Sequence, residues 1–355
     1  MLTSPNKQPT VSVVADQVYA TLGAIAFSTR TEDYPGLSPW FKGLMASLPP
    51  ERLETHNTLL RLFLSPIWPD TIETWLSFPA YLDWLAARSP EALITRETQR
   101  LLYTTGFAER HTPADLLANR DLLRRLAANA ITEVGLADSA LHINLGYVDA
   151  PQTLLDESVE QLRWLWDEVF VAAWEEHKPA VVQTEQAFQR VHFAGMTVTQ
   201  AVRAVTGSEV NFMADAKFND EFDELIFVPG LPIGPYVAFF SGQETIMRLV
   251  FAADTVHSTR RTQLSRAELL VRLNTLADDT RLRILELLVE HGELSSPAVM
   301  EHLSLSQSAA SRHLRQLSLT GYLTDRRHEG AKVYRLNRPR LDETLQALTD
   351  FFTIV

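Results

Sequence analysis

The chain has 355 residues, of which 46% are hydrophobic and 21% charged, so its length suits two domains and its composition a globular protein. It contains no cysteine, which excludes disulfides, thiolate metal sites and cysteine nucleophiles. No apolar run is long enough to cross a bilayer, and the polar N-terminus lacks the apolar stretch of a signal peptide. We therefore expect a cytoplasmic protein with no membrane partner.

The net charge of −12 is unevenly distributed along the chain. Residues 1–264 hold 20 Lys and Arg against 32 Asp and Glu, whereas residues 265–355 hold 12 of each. Within 303–340, eight basic residues stand against two acidic ones, a local balance of +6. A local positive surface suits contact with phosphate, and a solvated surface of mixed charge is the alternative interpretation.

The N-terminal part has mainly helical patterns. Val11–Val14 predicts a short strand, Asp16–Phe27 predicts a helix, and the pair Ser38-Pro39 begins another helix. Further helical periodicity runs over about 50–63, 70–87, 90–103, 113–134, 153–177, 179–192 and 198–205.

The period then changes to that of strands. Glu224–Val228, Tyr236–Phe240 and Thr245–Phe251 are β-rich runs separated by loops that contain proline or glycine. They predict a small antiparallel meander within 224–251. We assign residues 1–260 to one helical domain, for effector sensing or dimerisation, that carries this meander.

The N-terminal part shows no phosphate-binding glycine loop, no His-Glu-x-x-His and no Gly-x-Ser-x-Gly. All seven tryptophans lie in it. Aromatic stripes of this kind predict core packing, and the alternative is that some of them line an apolar ligand cavity.

Residues 261–355 predict a second domain. Ser265–Glu268 has the form of a capping box, and the leucines of 269–276 follow it at helical spacing. A second helix begins after the cap at Asp278–Thr280, and Ser296-Pro297 begins a third as N-cap and first helical residue.

Ser306 is the predicted N-cap of a fourth helix, with Ala310 and Leu314 on its buried side. Leu323–Arg327 and Lys332–Leu336 then alternate as two paired strands around a glycine-containing turn. Helices and strands in this order predict a winged helix-turn-helix, which places one helix in the major groove of DNA.

The last helix carries a repeat of four large apolar residues, Leu341, Leu345, Leu348 and Phe352. This is more apolar surface than a terminal helix needs for its own packing. The surplus predicts a dimer interface.

The C-terminal domain resembles the ArsR family of bacterial transcriptional regulators over about residues 265–352. The resemblance is carried by the runs 276–288, 303–314, 321–323 and 332–336. It implies a homodimer that binds a pseudo-palindromic operator in double-stranded DNA, in the manner of a repressor, and an effector that changes DNA affinity. The strand and loop Leu225–Pro232 and the Trp-rich helix before it resemble an uncharacterised bacterial effector-type domain.

Position by position, the resemblance implies DNA contact by ten residues. Side chains near the start of the fourth helix would reach base edges, and cations of the wing would contact phosphate. The helix supplies Ser306, Gln307, Ser308, Ser311, Arg312, His313 and Arg315, and the wing supplies Arg326, Arg327 and Lys332. For His313, packing beneath the wing is the alternative.

Founding members of the family sense metals through a cysteine pair in the third helix, where this chain has Glu293–Val299 without cysteine. A second metal type uses Asp and His on the last helix, and Leu341–Val355 contains no histidine. The eleven-residue spacing of His291, His302 and His313 suggests zinc, but the three fall on different predicted helices. We expect no metal and no cofactor, and a non-metal small molecule or a partner as effector.

The predicted fold is mainly α with small β elements, and the predicted function is a DNA-binding regulator that is not an enzyme. One alternative is an enzyme-like N-terminal domain fused to the DNA-binding module, which would require clustered titratable groups with shifted pKa values. Another is a winged helix that binds protein in place of DNA.

Overall fold

The computed structural model describes residues 9–28, 34, 36–60, 69, 73–104, 107–108, 110–133, 145–189, 191–206, 222–241, 245–253, 266–328 and 331–353. The chain divides into two compact units. The first comprises Met1–Gly43, Asp70–Ile72 and Trp174–Val355, and the second comprises Leu44–Pro69 and Glu73–Ala173. The predicted domain boundary near residue 260 lies in 254–265, outside the described residues.

Five of the helices that the structure describes in the N-terminal part begin at proline, whose fixed φ and missing N–H suit the first helical turn. The helices are α1 (Gln17–Ser28), α2 (Pro39–Ala46), α3 (Pro50–Leu60), α4 (Phe78–Ala86), α5 (Pro90–Thr104), α6 (Pro113–Ala118), α7 (Arg120–Glu133), α8 (Pro151–Leu165), α9 (Val171–Phe188) and α10 (Val198–Thr206). A single π-helical turn, Trp166–Phe170, joins α8 to α9.

Two of the predicted helices are shorter than expected. The helix predicted over 70–87 begins only at Phe78, because the side chain of Ser77 caps it by accepting from the amide of Ala80. The helix predicted over 113–134 is interrupted at Asn119, whose ψ of 89° is not helical.

The predicted interruption at Pro179 is wrong, because α9 continues through it. Proline removes one helical hydrogen bond, and packing beyond it compensates. Val181 is fully buried, and the Thr184 hydroxyl donates to the carbonyl of Ala253 at 2.8 Å.

The first unit contains a four-stranded sheet of β1 (Thr10–Val13), β2 (Glu224–Gly230), β3 (Ala238–Ser241) and β4 (Ile246–Ala252), in the order β1-β2-β4-β3. β1, β2 and β4 are mutually parallel, and β3 alone runs antiparallel to β4. The predicted antiparallel meander is therefore wrong. β3 and β4 do form a hairpin, but β4 lies beside β2 and displaces β3 to the edge.

Both faces of this sheet are covered, which explains the error. Phe227 and Leu249 pack on one face with Val202 of α10. On the other face, a Cβ placed on Gly23 of α1 would lie 2.5 Å from Val250 Cγ1, so that helix packs directly on the sheet. Parallel strands buried on both faces are continuously apolar, and their pattern does not show which neighbour they pair with.

The second unit is helical. Its leucine-rich core joins α5, α6 and α7 through Leu101, Leu102, Leu116, Leu123 and Leu126. The same unit contains packed aromatic rings, with Phe78 and Trp166 stacked at 5.1 Å and Trp75 lying 4.9 Å from Trp84.

The C-terminal module of the first unit is a winged helix, and its mixed α and β content confirms the predicted fold class. Its elements are α11 (Arg266–Leu276), α12 (Asp279–His291), β5 (Glu293–Ser295), α13 (Ser296–Leu303), α14 (Gln307–Leu319), β6 (Leu323–His328), β7 (Ala331–Leu336) and α15 (Arg338–Thr353). β5 is an unpredicted third strand, and the sheet order is β5-β7-β6. The N-cap of α13 is Ser295 rather than Ser296.

Candidate nucleic-acid interface

The helix α14 begins at a sharply defined turn. Ser304 ends α13 in the left-handed conformation, with φ of 53°. Ser306 is extended, and its hydroxyl accepts a hydrogen bond from the amide of Ala309 at 3.3 Å. The cap satisfies one of the free amides at the helix start and so sets where the helix begins.

The two sides of α14 differ in polarity and exposure. Ala310, Leu314 and Leu317 are at most 1% exposed and belong to the inner side. The opposite side carries Ser308, Ser311, Arg312 and Arg315 at the spacing i, i+3, i+4, i+7, which puts them on one face about 10 Å long. We call these four residues the outer stripe.

The outer stripe is not uniformly accessible. Ser308 and Arg312 are exposed, as are Ser306 and Gln307 just before them. Ser311 is half-buried. A helix that presents hydroxyl, amide and guanidinium groups along one face can contact both base edges and phosphates.

Arg315 is half-buried, and its guanidinium contacts the N-terminal part of the same unit. Its Nη2 donates to the hydroxyl of Tyr34 at 3.2 Å. The sequence contains no local signal for this contact, because the two residues stand 281 positions apart.

The position of His313 favours packing within the module over the DNA contact that the resemblance implies. The residue is 8% exposed, on the inner side of α14, and its Nδ1 lies 3.6 Å from Asp278 Oδ1 at the start of α12. Burial lowers the pKa of His313, Asp278 opposes that shift, and Arg312 and Arg281 add to it. The imidazole thus lies between α14 and the start of α12, with little of its surface exposed.

The wing cations are paired with carboxylates. Arg326 forms a two-pronged pair with Glu293 of β5, with Nη2 to Oε2 at 2.7 Å, and Lys332 lies 3.2 Å from Asp325. Both cations remain about half exposed, at 56% and 51% of their side chains. Arg327 lies in β6, and its side chain is outside the described residues.

One of the eight basic residues within 303–340, Arg340, is buried and does not contribute to a positive surface. Arg340 is 6% exposed, and its Nη1 donates to Glu343 Oε2 at 3.0 Å. Arg272 of α11 is 2% exposed and donates to the same oxygen, also at 3.0 Å. Arg340 is thus part of the α11–α15 packing and not of the surface that faces solvent.

No group of three or more His, Cys, Asp or Glu that could hold a metal occurs in the part of the chain that the structure describes. The rings of His291 and His302 lie 4.9 Å apart, whereas His313 contacts Asp278. The arrangement does not bring the three equally spaced histidines together as ligands of one ion.

Two N-terminal groups of the first unit have raised pKa values, and burial is the leading cause of both. Burial raises the pKa of Asp16, which caps α1 by accepting from the amides of Val18 and Tyr19. It raises the pKa of Tyr236 to about 12. Both shifts accompany packing and capping rather than a reactive group.

Within the described ranges, no helix is both long and apolar enough to span a bilayer.

Known proteins are similar to this C-terminal module. Residues 278–325 match the family described as "Bacterial regulatory protein, arsR family". The arsenic resistance transcriptional regulator ArsR1 of Pseudomonas putida is 42% identical over 73 residues, which are 21% of this chain and 56% of that protein. The arsenical resistance operon repressor of Staphylococcus aureus is 36% identical over 85 residues, which are 24% of this chain and 81% of that protein.

The chain thus spans just over half of the first of these relatives and most of the second. The matched residues 278–325 include all of α14 with its outer stripe, and both residues of the contact between Asp278 and His313. Through this winged helix the chain belongs to the arsR family of bacterial regulatory proteins.

Proposed function

We propose that this protein is a transcriptional regulator that binds a pseudo-palindromic DNA operator as a homodimer through α14 and the wing. The N-terminal part, with a boundary near residue 260, would sense a non-metal effector or a partner. The observation that carries the proposal is the outer stripe. It presents the exposed Ser308 and Arg312 on a helix whose opposite side is held in the core of the module.

A helix in the major groove supplies specificity through base edges, and the wing adds phosphate contact. Arg312 is the strongest candidate for base contact, because arginine can donate two hydrogen bonds to guanine. Gln307, Ser308 and Ser311 add short polar groups along the same face. Arg326, Arg327 and Lys332 are the proposed phosphate contacts.

Exposed apolar residues on the helix pair α11 and α15 support the homodimer. Leu270 is 51% exposed, Leu345 is 49%, Phe351 is 47% and Phe352 is 71%. Their burial against a second copy would form the dimer interface. Half-sites one helical turn apart, about 34 Å, would then suit the dimer.

The effector is proposed to be something other than a soft metal ion. The relatives are named for arsenic resistance, and one is named a repressor, so repression is the proposed mode. This chain has no cysteine to supply the thiolates that soft ions prefer. We therefore expect arsenite to leave its DNA affinity unchanged.

The test is selection of duplexes from a random library by the full-length protein, followed by affinity measurements on the enriched duplex. The variant Arg312→Ala should bind that duplex at least about tenfold more weakly, since a good base contact contributes about 1–3 kcal/mol. The matched control is Arg283→Ala, which removes the same charge from an exposed position on α12.

Equal losses in the two variants would mean that α14 contributes only general electrostatic attraction. Failure to enrich any duplex would contradict the proposed function itself and would favour the protein-binding alternative. Affinity for the enriched duplex should also fall steeply with added salt, because phosphate contacts release counterions.

A further inference from the structure

The last residue of the outer stripe is held by the N-terminal part of its own unit. Arg315 Nη2 donates to the Tyr34 hydroxyl at 3.2 Å. The other terminal nitrogen, Nη1, is buried from solvent. Of the two terminal nitrogens of this guanidinium, to which the family resemblance assigns DNA contact, one is therefore bonded to Tyr34 and the other is buried.

Tyr34 is held in place by neighbouring rings. Phe27 of α1 meets it edge to face at 5.0 Å, and Tyr236 does so at 5.1 Å. The hydroxyl of Tyr236 accepts a hydrogen bond from the amide of Gly36 at 3.2 Å. The rings of Phe27 and Tyr236 also lie 5.6 Å apart, so Tyr34 belongs to a cluster of three rings that holds its hydroxyl near Arg315 without help from DNA.

The segment that follows Tyr34 is tied to the loop after β2. The amide of Ser38 donates to the carbonyl of Ile233 at 3.2 Å. Gly234, with φ of 111°, leaves room for the Gly36 carbonyl, which a Cβ at Gly234 would strike. Gly36 and Ser38 are thus in contact with the loop that follows β2.

The same segment also contacts the winged helix at α11. A Cβ placed on Gly36 would overlap Cγ2 of Val271, a residue that is 5% exposed. Elsewhere, Arg203 of α10 lies 3.8 Å from Glu343 of α15. Two helices of the module besides α14 are therefore in contact with the N-terminal part.

We propose that Tyr34 is an autoinhibitory latch that withholds Arg315 from DNA, an inference that rests on the proposed function of α14. A duplex that takes α14 into its major groove must compete with Tyr34 for the guanidinium and separate Tyr34 from α14. An effector or partner that binds the N-terminal part better in the separated arrangement would raise DNA affinity, and one that prefers the docked arrangement would lower it.

The test uses full-length Tyr34→Phe, which keeps the ring contacts to Phe27 and Tyr236 and removes only the acceptor. We expect it to bind the enriched duplex about tenfold more tightly than the parent, since hydrogen bonds to charged groups are among the stronger ones. In an Arg315→Ala background the same substitution should change the dissociation constant by less than about twofold. This double-mutant cycle isolates the contact.

A second variant releases the segment sterically. Gly36→Ala should displace the backbone at position 36 from Val271, and Tyr34 with it, and so tighten DNA binding. Adding Val271→Ala should return the affinity toward that of the parent. Thermal unfolding of each variant checks that the fold is retained.

The outcomes separate the latch from the function. If Arg312→Ala weakens binding but Tyr34→Phe binds like the parent, the latch is wrong and the function stands. Weaker binding by Tyr34→Phe that depends on Arg315 would instead make Tyr34 a positioning residue for DNA contact and overturn the latch. If neither the parent nor Tyr34→Phe enriches a duplex, the function fails and the latch with it.

Discussion

Arginine serves two different purposes in two regions of the winged helix. Between α11 and α15, Arg272 and Arg340 are 2% and 6% exposed and share one carboxylate oxygen of Glu343. On the surface of the wing, the side chain of Arg326 is 56% exposed and pairs with Glu293. Both regions pair arginine with glutamate, but the arginines are buried in the first and exposed in the second.

The difference shows why a count of basic residues does not measure a DNA-binding surface. A buried pair cannot exchange its partner without leaving a charge in the interior, which is costly. An exposed pair is weak and can be replaced by phosphate at little cost. Arg340 therefore stabilises the packing of α11 on α15, whereas Arg326 remains exposed enough to exchange Glu293 for a phosphate.

The largest expected effect is on the free energy of unfolding and concerns the buried Arg272 and Arg340. Burial alone would raise the pKa of Glu343, but Arg272 and Arg340 together lower it, so the carboxylate is charged. Glu343→Gln removes the carboxylate that both buried guanidinium groups contact and should lower the free energy of unfolding by about 3–5 kcal/mol. Urea denaturation at pH 7 measures it.

The matched control for that change is Glu286→Gln, on the exposed side of α12. Its free energy of unfolding should stay within about 0.5 kcal/mol of the parent. A similarly small loss for Glu343→Gln would remove the distinction between the two regions.

The next largest expected effect is on dimerisation and concerns the exposed apolar residues of α11 and α15. Leu345→Ser combined with Phe352→Ser should raise the dissociation constant of the proposed homodimer by at least about tenfold, because each large apolar side chain contributes about 1.5–3 kcal/mol when buried. Sedimentation velocity over a concentration series measures it. Val289→Ser, which replaces an apolar residue 58% exposed on α12, should leave the dimer intact.

A smaller effect should follow from the titration of His313. Its pKa is lowered in the folded protein, chiefly by burial, so the unfolded chain binds the proton more tightly. The contribution of neutral His313 to stability is therefore complete above about pH 6.5 and is lost as the pH falls below that value.

Thermal unfolding between pH 7.5 and 5.5 tests this prediction. The parent should lose stability on acidification, and His313→Gln should lose less over the same interval. Parallel curves for the two proteins would mean that other groups set the pH dependence.

The smallest effect should come from the exposed wing pair. Glu293→Gln frees Arg326 for phosphate and should tighten DNA binding by no more than about fivefold, while steepening the salt dependence by about one counterion. Glu286→Gln again controls for the removal of one negative charge. Weaker binding by Glu293→Gln would show that Glu293 orients Arg326 toward DNA rather than competing for it.

Much of the winged helix could be predicted because its signals are local. Ser306 caps α14 by accepting from an amide three residues on, and the alternation of β6 and β7 needs only a short turn. The inner and outer faces of α14 follow from helical periodicity alone. His313 was left open, since periodicity does not say how deep a polar residue at the edge of the buried face will lie.

The sheet could not be predicted in the same way. β1 pairs with β2, with Thr10 opposite Glu224, across more than half of the chain. Its apolar strands have no polar face that would reveal their neighbours. Pro179 within α9 is a second case, because tertiary packing outweighs the local cost of the proline.

The sequence by itself determined that the chain ends in a winged helix and which face of α14 points outward, because helix caps, turn residues and short-range periodicity act over a few residues. Only the tertiary structure decided how deeply each of these cations is buried and which group it contacts. Arg340 is buried against Glu343, Arg326 pairs with Glu293, and Arg315 bonds to Tyr34. Each of the last two pairings joins residues that are distant in sequence, and such pairings depend on how the whole chain packs rather than on local pattern.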